Sequence, residues 1–234
     1  MDKYSVDNFD SEPEEREYPL DLPSVSRILI AGPSGSGKSI IANNLILKLL
    51  KWDKIYMISK TIDQPKQKKL IEKLEELQTK IRKESADPDY KLVFASNQLK
   101  DLPKVDDLNK HFRHLIVIDD MITEKNQKEV IDVFVRGRHK NISVIYISQL
   151  YFKTPREIRL NCNVFVITNV ANQKEIALLN QELATDLSKE EFKAVYNAAT
   201  AGQYDFLLID TTQKKLPLKY RRKFNGVLTD LNKD

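Results

Sequence analysis

Short apolar runs alternate along the chain with longer segments whose apolar residues recur at helical spacing. The apolar runs predict strands at 27–31, 55–58, 91–95, 114–119, 142–148, 164–168 and 205–209. The longer segments predict helices at 39–50, 66–84, 128–135, 173–183 and 189–199. Uninterrupted apolar runs are typical of strands buried on both faces, and their alternation with helices is typical of parallel sheets. The pattern therefore predicts an α/β fold with a mostly parallel central sheet flanked by helices on both faces.

Charge divides the chain into an N-terminal arm and a body. Residues 1–24 hold two basic and eight acidic side chains, so the remaining residues carry +10 within a total net charge of +4. We predict an acidic flexible arm (1–24), one P-loop domain (25–226) and a short C-terminal tail (227–234). Within the domain, the Lys-, Glu- and Gln-rich segment at about 62–90 is expected to be a helical excursion on the sheet. A basic body favours a polyanionic partner such as nucleic acid, although a lysine-rich, solvent-exposed surface without such a partner would give the same net charge.

Composition excludes several classes of protein. No apolar stretch approaches the roughly 18 residues that a membrane-spanning helix requires, so we expect no membrane-spanning segment. A single cysteine, Cys162, leaves no intrachain disulfide. Three histidines and one cysteine are too few and too scattered for a structural zinc site.

The strongest chemical signal is a glycine-rich loop that satisfies the pattern G-x-x-x-x-G-K-[ST]. Its residues are Gly32, Pro33, Ser34, Gly35, Ser36, Gly37, Lys38 and Ser39. A predicted strand precedes the loop and a predicted helix follows it, as a phosphate-binding loop requires. Inward-pointing backbone N–H groups and the helix N-terminus attract phosphate, Lys38 reaches the β- and γ-phosphates, and the Ser39 hydroxyl binds Mg²⁺. The loop predicts a nucleoside triphosphate bound with Mg²⁺, and a simple glycine-rich turn is the alternative.

A nucleoside triphosphate site needs a second group that binds the metal, and the predicted strand 114–119 supplies it. Asp119 ends this apolar strand at the edge where open α/β sheets bind ligands, so we expect it to hold Mg²⁺ through water. Asp120 follows and is a candidate general base for the attacking water. An exposed turn carboxylate is the alternative interpretation of Asp120.

The strand at 142–148 ends next to Gln149, which predicts that this side chain lies in the same crevice. There it would hydrogen-bond the γ-phosphate or the attacking water, unless it is merely a polar residue at the end of a strand.

Cations flank this strand and recur near the C-terminus. Arg138 lies upstream, while Arg156 and Arg159 lie downstream. One arginine from a neighbouring subunit commonly stabilises transferring phosphate, and surface or DNA-facing cations are the alternative. The C-terminal cluster interleaves with two aromatic residues, which suits contact with a DNA backbone or a solvated terminal strand. Its members are Lys214, Lys215, Lys219, Arg221, Arg222 and Lys223.

Taken together, these motifs resemble one family. GPSGSGKS, LIVIDDM, RGRHKNISVIYISQLYFKTPREIRLN, DFLLID and KYRRKF are similar to segments of the poxvirus-type DNA-packaging ATPases of large DNA viruses, virophages and polinton-like elements, within the FtsK–HerA superfamily. The resemblance spans roughly residues 25–226. The phosphate loop is widespread, whereas the Gln-tipped strand followed by P-x-x-I-R-x-N is much more specific to this family.

The resemblance implies a RecA-like core in which the strand before Gln149 lies between the strands of the phosphate loop and of Asp119. It also implies ATP hydrolysis coupled to the passage of double-stranded DNA into a capsid. Arg138 matches the trans-acting arginine of FtsK-like motors, with Arg159 as the next candidate. Two departures stand out: Asp120 replaces the glutamate of many relatives, and the superfamily's additional DNA-translocating modules are not evident.

Several partners follow from this resemblance. We expect a homo-oligomeric ring, a hexamer or pentamer, that contacts double-stranded DNA and the proteins of a capsid or procapsid vertex. The expected location is a virus assembly site in the host cell, a cytoplasmic factory rather than the nucleus, with possible association with the virion. Two alternatives remain: a small-molecule kinase related to guanylate kinases, and a virion or scaffold protein with a relict nucleotide site.

Overall fold

A computed structural model describes residues 22–228, apart from 86, 122, 125, 126 and 171. Almost all of the predicted acidic arm (1–21) and most of the predicted tail (229–234) lie outside the described residues. No helix within the described part has both the length and the apolarity needed to cross a membrane.

Within the described part of the chain, one sheet of nine strands forms the centre of the fold. The strands are β1 (Arg27–Ala31), β2 (Lys54–Ser59), β3 (Val93–Ser96), β4 (His114–Asp119), β5 (Ile142–Ser148), β6 (Val164–Thr168), β7 (Phe206–Asp210), β8 (Tyr220–Arg222) and β9 (Gly226–Val227). Their order is β3-β2-β4-β5-β1-β6-β7-β8-β9. The pairings from β3 to β6 are parallel, whereas β7, β8 and β9 join as antiparallel strands. The predicted α/β fold with a mostly parallel sheet is therefore confirmed.

Strand register brings the predicted site residues to one edge of the sheet. Asp119 at the end of β4 pairs with Ile147, and Ala31 at the end of β1 pairs with Ser148. Strand β5 thus lies between β4 and β1, as the family resemblance implied. All seven residues of β5 are buried because neighbouring strands and both helical layers enclose it. The loop after β1 and the residues after β4 and β5 consequently share one crevice.

Helices cover both faces of the sheet. They are α1 (Lys38–Asn44), α2 (Pro65–Ser85), α3 (Lys128–Arg136), α4 (Arg156–Asn161), α5 (Gln173–Leu183), α6 (Lys189–Ala199) and α7 (Leu216–Lys219). Alternate residues of each strand enter two separate cores, since side chains alternate between the faces of a strand. Residues such as Ile28 and Ile30 pack with α1 and α2, whereas Leu29 packs on the face covered by α3, α5 and α6.

The structure corrects three details of the sequence interpretation. Helix α2 is not an excursion on the sheet, because Leu70 and Leu74 are buried in the core beneath α1 and α2. The first helix is regular only to Asn44 and continues as a π-helical turn over Leu45–Leu49. Strand β3 begins at Val93, two residues later than its apolar run predicts.

Candidate nucleotide-binding site

The glycine-rich loop lies between the end of β1 and the start of α1. Gly37 has φ of 90°, a left-handed conformation that glycine adopts without strain, and α1 begins at the next residue. Gly32 is required for a different reason: a Cβ there would lie 1.7 Å from Thr168 Oγ1. The loop therefore needs glycine at both positions to reach its shape.

Thr168 is a buried residue of this site that the sequence analysis missed. Its hydroxyl lies 2.9 Å from Ser36 Oγ and 3.4 Å from the carbonyl oxygen of Ala31. These contacts attach the loop to the end of β6, which pairs with β1. A polar residue ending a fully apolar strand beside β1 was the available signal, but strand order is needed to use it.

Lys38 is held inside the loop that it follows. Its Nζ donates to the carbonyl oxygens of Gly32 and Pro33, each at 2.7 Å. Burial lowers the pKa of Lys38, and the charges of Asp119 and Asp120 act in the opposite direction. Lys38 also lines the cavity described below. None of these hydrogen bonds joins its ammonium group to a carboxylate.

Asp119 lies at the end of β4 in a largely desolvated position. Burial raises its pKa to about 6, and the neighbouring Asp120 adds to this shift, while Lys38 and Gln67 oppose it. Gln67 Nε2 donates to Asp119 Oδ2 at 3.1 Å, and Gln67 itself is buried on α2. The sequence analysis missed Gln67, because nothing in a charged helix marks the one position that faces another element.

Asp120 and Gln149 lie together at the ends of adjacent strands. Asp120 has φ of 55°, an uncommon conformation for a residue with a side chain, which turns the chain sharply after β4. Gln149 Nε2 lies 3.4 Å from Asp120 Oδ1. A water molecule or phosphate oxygen in this crevice would therefore meet a carboxylate and an amide that already contact each other.

These groups surround a cavity of about 570 Å³. Its lining includes polar residues and glycines of the glycine-rich loop, of the segment around the start of α2, of the ends of β4 and β5 and of the loop before β7. They are Ser34, Gly35, Gly37, Lys38, Ser39, Thr61, Gln64, Lys66, Asp119, Asp120, Ser148, Gln149 and Tyr204. The volume is within the usual range for small-molecule sites. The lining shows that the structure brings together the residues predicted to bind phosphate, bind metal and activate water.

Arg138 lies away from this cavity. It belongs to a single 3₁₀ turn, Gly137–Lys140, at the opposite end of β5 from Gln149. The strand between them spans roughly 23 Å at about 3.3 Å per residue. Arg138 is exposed, so its distance from its own cavity is compatible with action on a neighbouring subunit.

Arg159, the second candidate for that role, is unsuited to it. Its side chain is 9% exposed and binds both carboxylate oxygens of Glu182 at 2.9 Å. It also donates to the carbonyl oxygens of Phe152 and Thr154. Arg159 therefore holds the segment after β5 in its own chain, which disfavours the trans-acting role suggested from the sequence.

The C-terminal basic cluster is largely paired with carboxylates. Lys219 contacts Asp186 at 2.8 Å, and Arg221 contacts Asp210 at 3.4 Å. Arg222 and Lys223 both contact the buried Asp205, at 2.6 and 3.1 Å. Lys214 and Lys215 are exposed in the connection after β7. Four of the six charges thus stabilise the antiparallel edge of the sheet, and DNA binding by this cluster stays a prediction.

Comparison with known structures shows the same fold in a viral protein. The genome packaging NTPase B204 of Sulfolobus turreted icosahedral virus 2, in complex with ATP-gammaS, superposes with a TM-score of 0.57 at 14% sequence identity, covering 88% of this chain and 100% of that chain. Its complex with AMP gives a TM-score of 0.53 at 14% identity, covering 82% and 95% of the two chains. At this level of identity, the likeness establishes the fold alone.

Sequence comparison establishes the family. A search of curated proteins finds no significant match. The profile of the family described as Poxvirus A32 protein matches residues 21–212, which is most of the chain and includes every residue of the cavity. The chain therefore belongs to the Poxvirus A32 protein family.

Proposed function

We propose that this protein is a genome-packaging ATPase, which hydrolyses ATP to move double-stranded viral DNA into a capsid. The observation that carries the proposal is the meeting of Lys38, Ser39, Asp119, Asp120 and Gln149 around one cavity. Family membership and a fold shared with a viral genome packaging NTPase support the same conclusion. Neither comparison supports a small-molecule kinase or a scaffold protein.

The cavity is suited to a nucleotide triphosphate with Mg²⁺. Backbone N–H groups of the glycine-rich loop and the ammonium of Lys38 would neutralise the phosphates. Asp119 is a half-buried carboxylate, and together with the Ser39 hydroxyl it offers the oxygen ligands that Mg²⁺ prefers. When bound, Mg²⁺ would neutralise charge on the β- and γ-phosphates. Among the described residues, no cluster of three or more His, Cys, Asp or Glu offers another metal site.

Hydrolysis in this site would begin with water held between Asp120 and Gln149. The Gln149 amide orients the water, and the Asp120 carboxylate accepts its proton as the oxygen attacks the γ-phosphorus. The bond to the β–γ bridging oxygen breaks, so ADP leaves with the electron pair and inorganic phosphate is formed. Lys38 stabilises the charge that develops on the transferred group.

The complete site would require a second subunit. Arg138 lies across the length of β5 from its own Gln149, so it would act on the cavity of a neighbour in a closed ring. A pentamer or hexamer would enclose DNA, and exposed cations such as Lys214 and Lys215 are available for its phosphates. The ring would act on a capsid or procapsid vertex at a cytoplasmic site of virus assembly.

The proposal is tested by measuring ATP hydrolysis with and without duplex DNA. We expect wild-type protein to hydrolyse ATP and duplex DNA to stimulate it, whereas Lys38→Ala protein should be inactive under both conditions. A folded wild-type protein without DNA-stimulated hydrolysis would contradict the proposal.

Subunit mixing tests the role of Arg138. Arg138→Ala and Lys38→Ala proteins should each be inactive, but mixed rings contain cavities with an intact Lys38 beside an intact neighbouring Arg138. Activity should therefore return in part on mixing. An absence of recovery, in rings shown to exchange subunits, would mean that Arg138 does not act in trans.

A further inference from the structure

A tyrosine outside every predicted motif forms part of the cavity wall. Tyr204 lies in the loop between α6 and β7 and lines the cavity with Gly37 and Lys38. Its ring rests on the glycine-rich loop, since a Cβ built on Gly37 would lie 3.1 Å from Tyr204 Cδ1. Yet half of this side chain is exposed. An aromatic face is thus available to a ligand within a largely polar cavity.

Strand order places this ring at the nucleoside end of the site. Asp119 and Gln149 follow β4 and β5 and mark the position of the γ-phosphate, on one side of β1. On the other side of β1 lie β6 and then β7, with Thr168 paired to Phe206. Tyr204 precedes β7 at this same edge. A nucleotide whose γ-phosphate faces Asp119 and whose phosphates follow the loop would extend its nucleoside toward Tyr204.

The ring is held in place by a network beneath it. Tyr204 has φ of 61°, which is unusual for a bulky residue and must be offset by surrounding contacts. The next residue, Asp205, is 3% exposed and accepts hydrogen bonds from Arg222, Lys223 and the backbone N–H of Gly202. These contacts fix the loop from the side of the sheet, so the ring is positioned before any ligand arrives.

We propose that Tyr204 stacks against the nucleobase of the bound nucleoside triphosphate. This inference rests on the proposed function, because it assumes that the triphosphate occupies the glycine-rich loop. Stacking reads the flat face of a base and not its hydrogen-bonding edge, so the contact contributes affinity for the nucleoside without selecting one base by its polar groups.

The experiment compares a ligand with a base and a ligand without one. Binding of ATP-gammaS and of inorganic tripolyphosphate is measured by calorimetry on wild-type, Tyr204→Ala and Tyr204→Phe proteins. Tyr204→Ala should lower the affinity for ATP-gammaS roughly tenfold, which is the loss expected of one base–aromatic stack. It should leave the affinity for tripolyphosphate unchanged. Tyr204→Phe should bind both ligands as wild type does. Phe152→Ala removes another half-exposed aromatic side chain, outside the cavity, and should change neither affinity.

Two results would overturn the inference. Unchanged ATP-gammaS affinity in Tyr204→Ala protein would mean that the ring does not contact the base. An equal loss for both ligands would mean that the ring only supports the loop at Gly37. Either result leaves the proposed function intact, whereas wild-type protein that binds neither ligand would contradict the proposed function itself.

Discussion

Replacing Arg159 with methionine is expected to lower the free energy of unfolding by about 3–5 kcal/mol. Methionine keeps much of the length of the side chain but removes its charge and its donors. In the native protein, Arg159 is 9% exposed and binds Glu182 through two hydrogen bonds of 2.9 Å. Its guanidinium also lies 5.2 Å from the centre of the Tyr151 ring.

The magnitude follows from what the substitution leaves behind. The Glu182 side chain is 18% exposed, so its carboxylate would lose its cation in a place that water reaches only in part. Breaking a buried ion pair in this way costs about 3–5 kcal/mol. The buried hydrogen bond of 2.6 Å to the Thr154 carbonyl oxygen is lost as well, at about 1–3 kcal/mol. Burial of the apolar methionine side chain offsets part of this sum.

Urea denaturation measures the effect. With a slope of about 2–3 kcal/mol per molar urea, the midpoint should fall by about 1–2.5 M. Arg136→Met is the matched control, because Arg136 forms its ion pairs with Asp106 and Asp132 at an exposed position, and its midpoint should stay that of wild type. If Arg159→Met protein were as stable as this control, the conclusion that Arg159 stabilises the fold would be refuted.

Three further predictions concern the cavity and its support. Lys38→Ala should abolish ATP hydrolysis and leave the circular dichroism spectrum unchanged, because Lys38 contacts carbonyl oxygens of the loop and is not part of a hydrophobic core. Turnover near that of wild type would refute the assignment of this cavity as the site of hydrolysis. Asp119→Asn should weaken Mg²⁺-dependent ATP binding, whereas Asp120→Asn should slow hydrolysis with binding nearly unchanged; identical defects in binding and rate would contradict this division. For Asp205, burial raises the pKa, but hydrogen bonds from its two basic partners more than offset this and hold the pKa below its usual value. Its stabilising contribution is therefore complete above a pH of about 4, the ordinary carboxyl pKa, and is lost as pH falls through the lower folded pKa. The stability difference between wild type and Asp205→Asn should consequently be largest near pH 7 and narrow below pH 4, and a difference independent of pH would count against the ion pairs.

The pattern of apolar residues along the sequence predicts those parts of the fold that depend on a single strand and the residues next to it. Strands β1, β4, β5 and β6 begin and end where their apolar runs do, since central strands are buried on both faces. The groups at their ends, Lys38, Asp119 and Gln149, follow from the general rule that ligands bind at the carboxyl edge of such sheets. Family resemblance supplied the order of β4, β5 and β1, which pattern alone does not contain.

Contacts between distant segments could not be predicted in this way. Tyr204 lines the cavity, whereas Gln67 contacts Asp119 and Thr168 contacts Ser36 of the glycine-rich loop. These three residues belong to a loop, a helix and a neighbouring strand whose positions depend on the complete topology. The C-terminal cations illustrate the same difficulty. Their sequence suggests an accessible basic surface, but antiparallel pairing of β7 with β8 brings Arg221 beside Asp210, and Arg222 bonds to Asp205. Charge along a sequence therefore does not reveal which cations are already paired in the fold.

Movement along duplex DNA is the central claim, and displacement of a third strand from a DNA triplex measures it most directly. We predict that wild-type protein with Mg²⁺ and ATP displaces the third strand, and that no displacement occurs with ATP-gammaS or with Lys38→Ala protein. Displacement that is equally fast without hydrolysis, or its absence while duplex DNA stimulates ATP hydrolysis, would contradict the account.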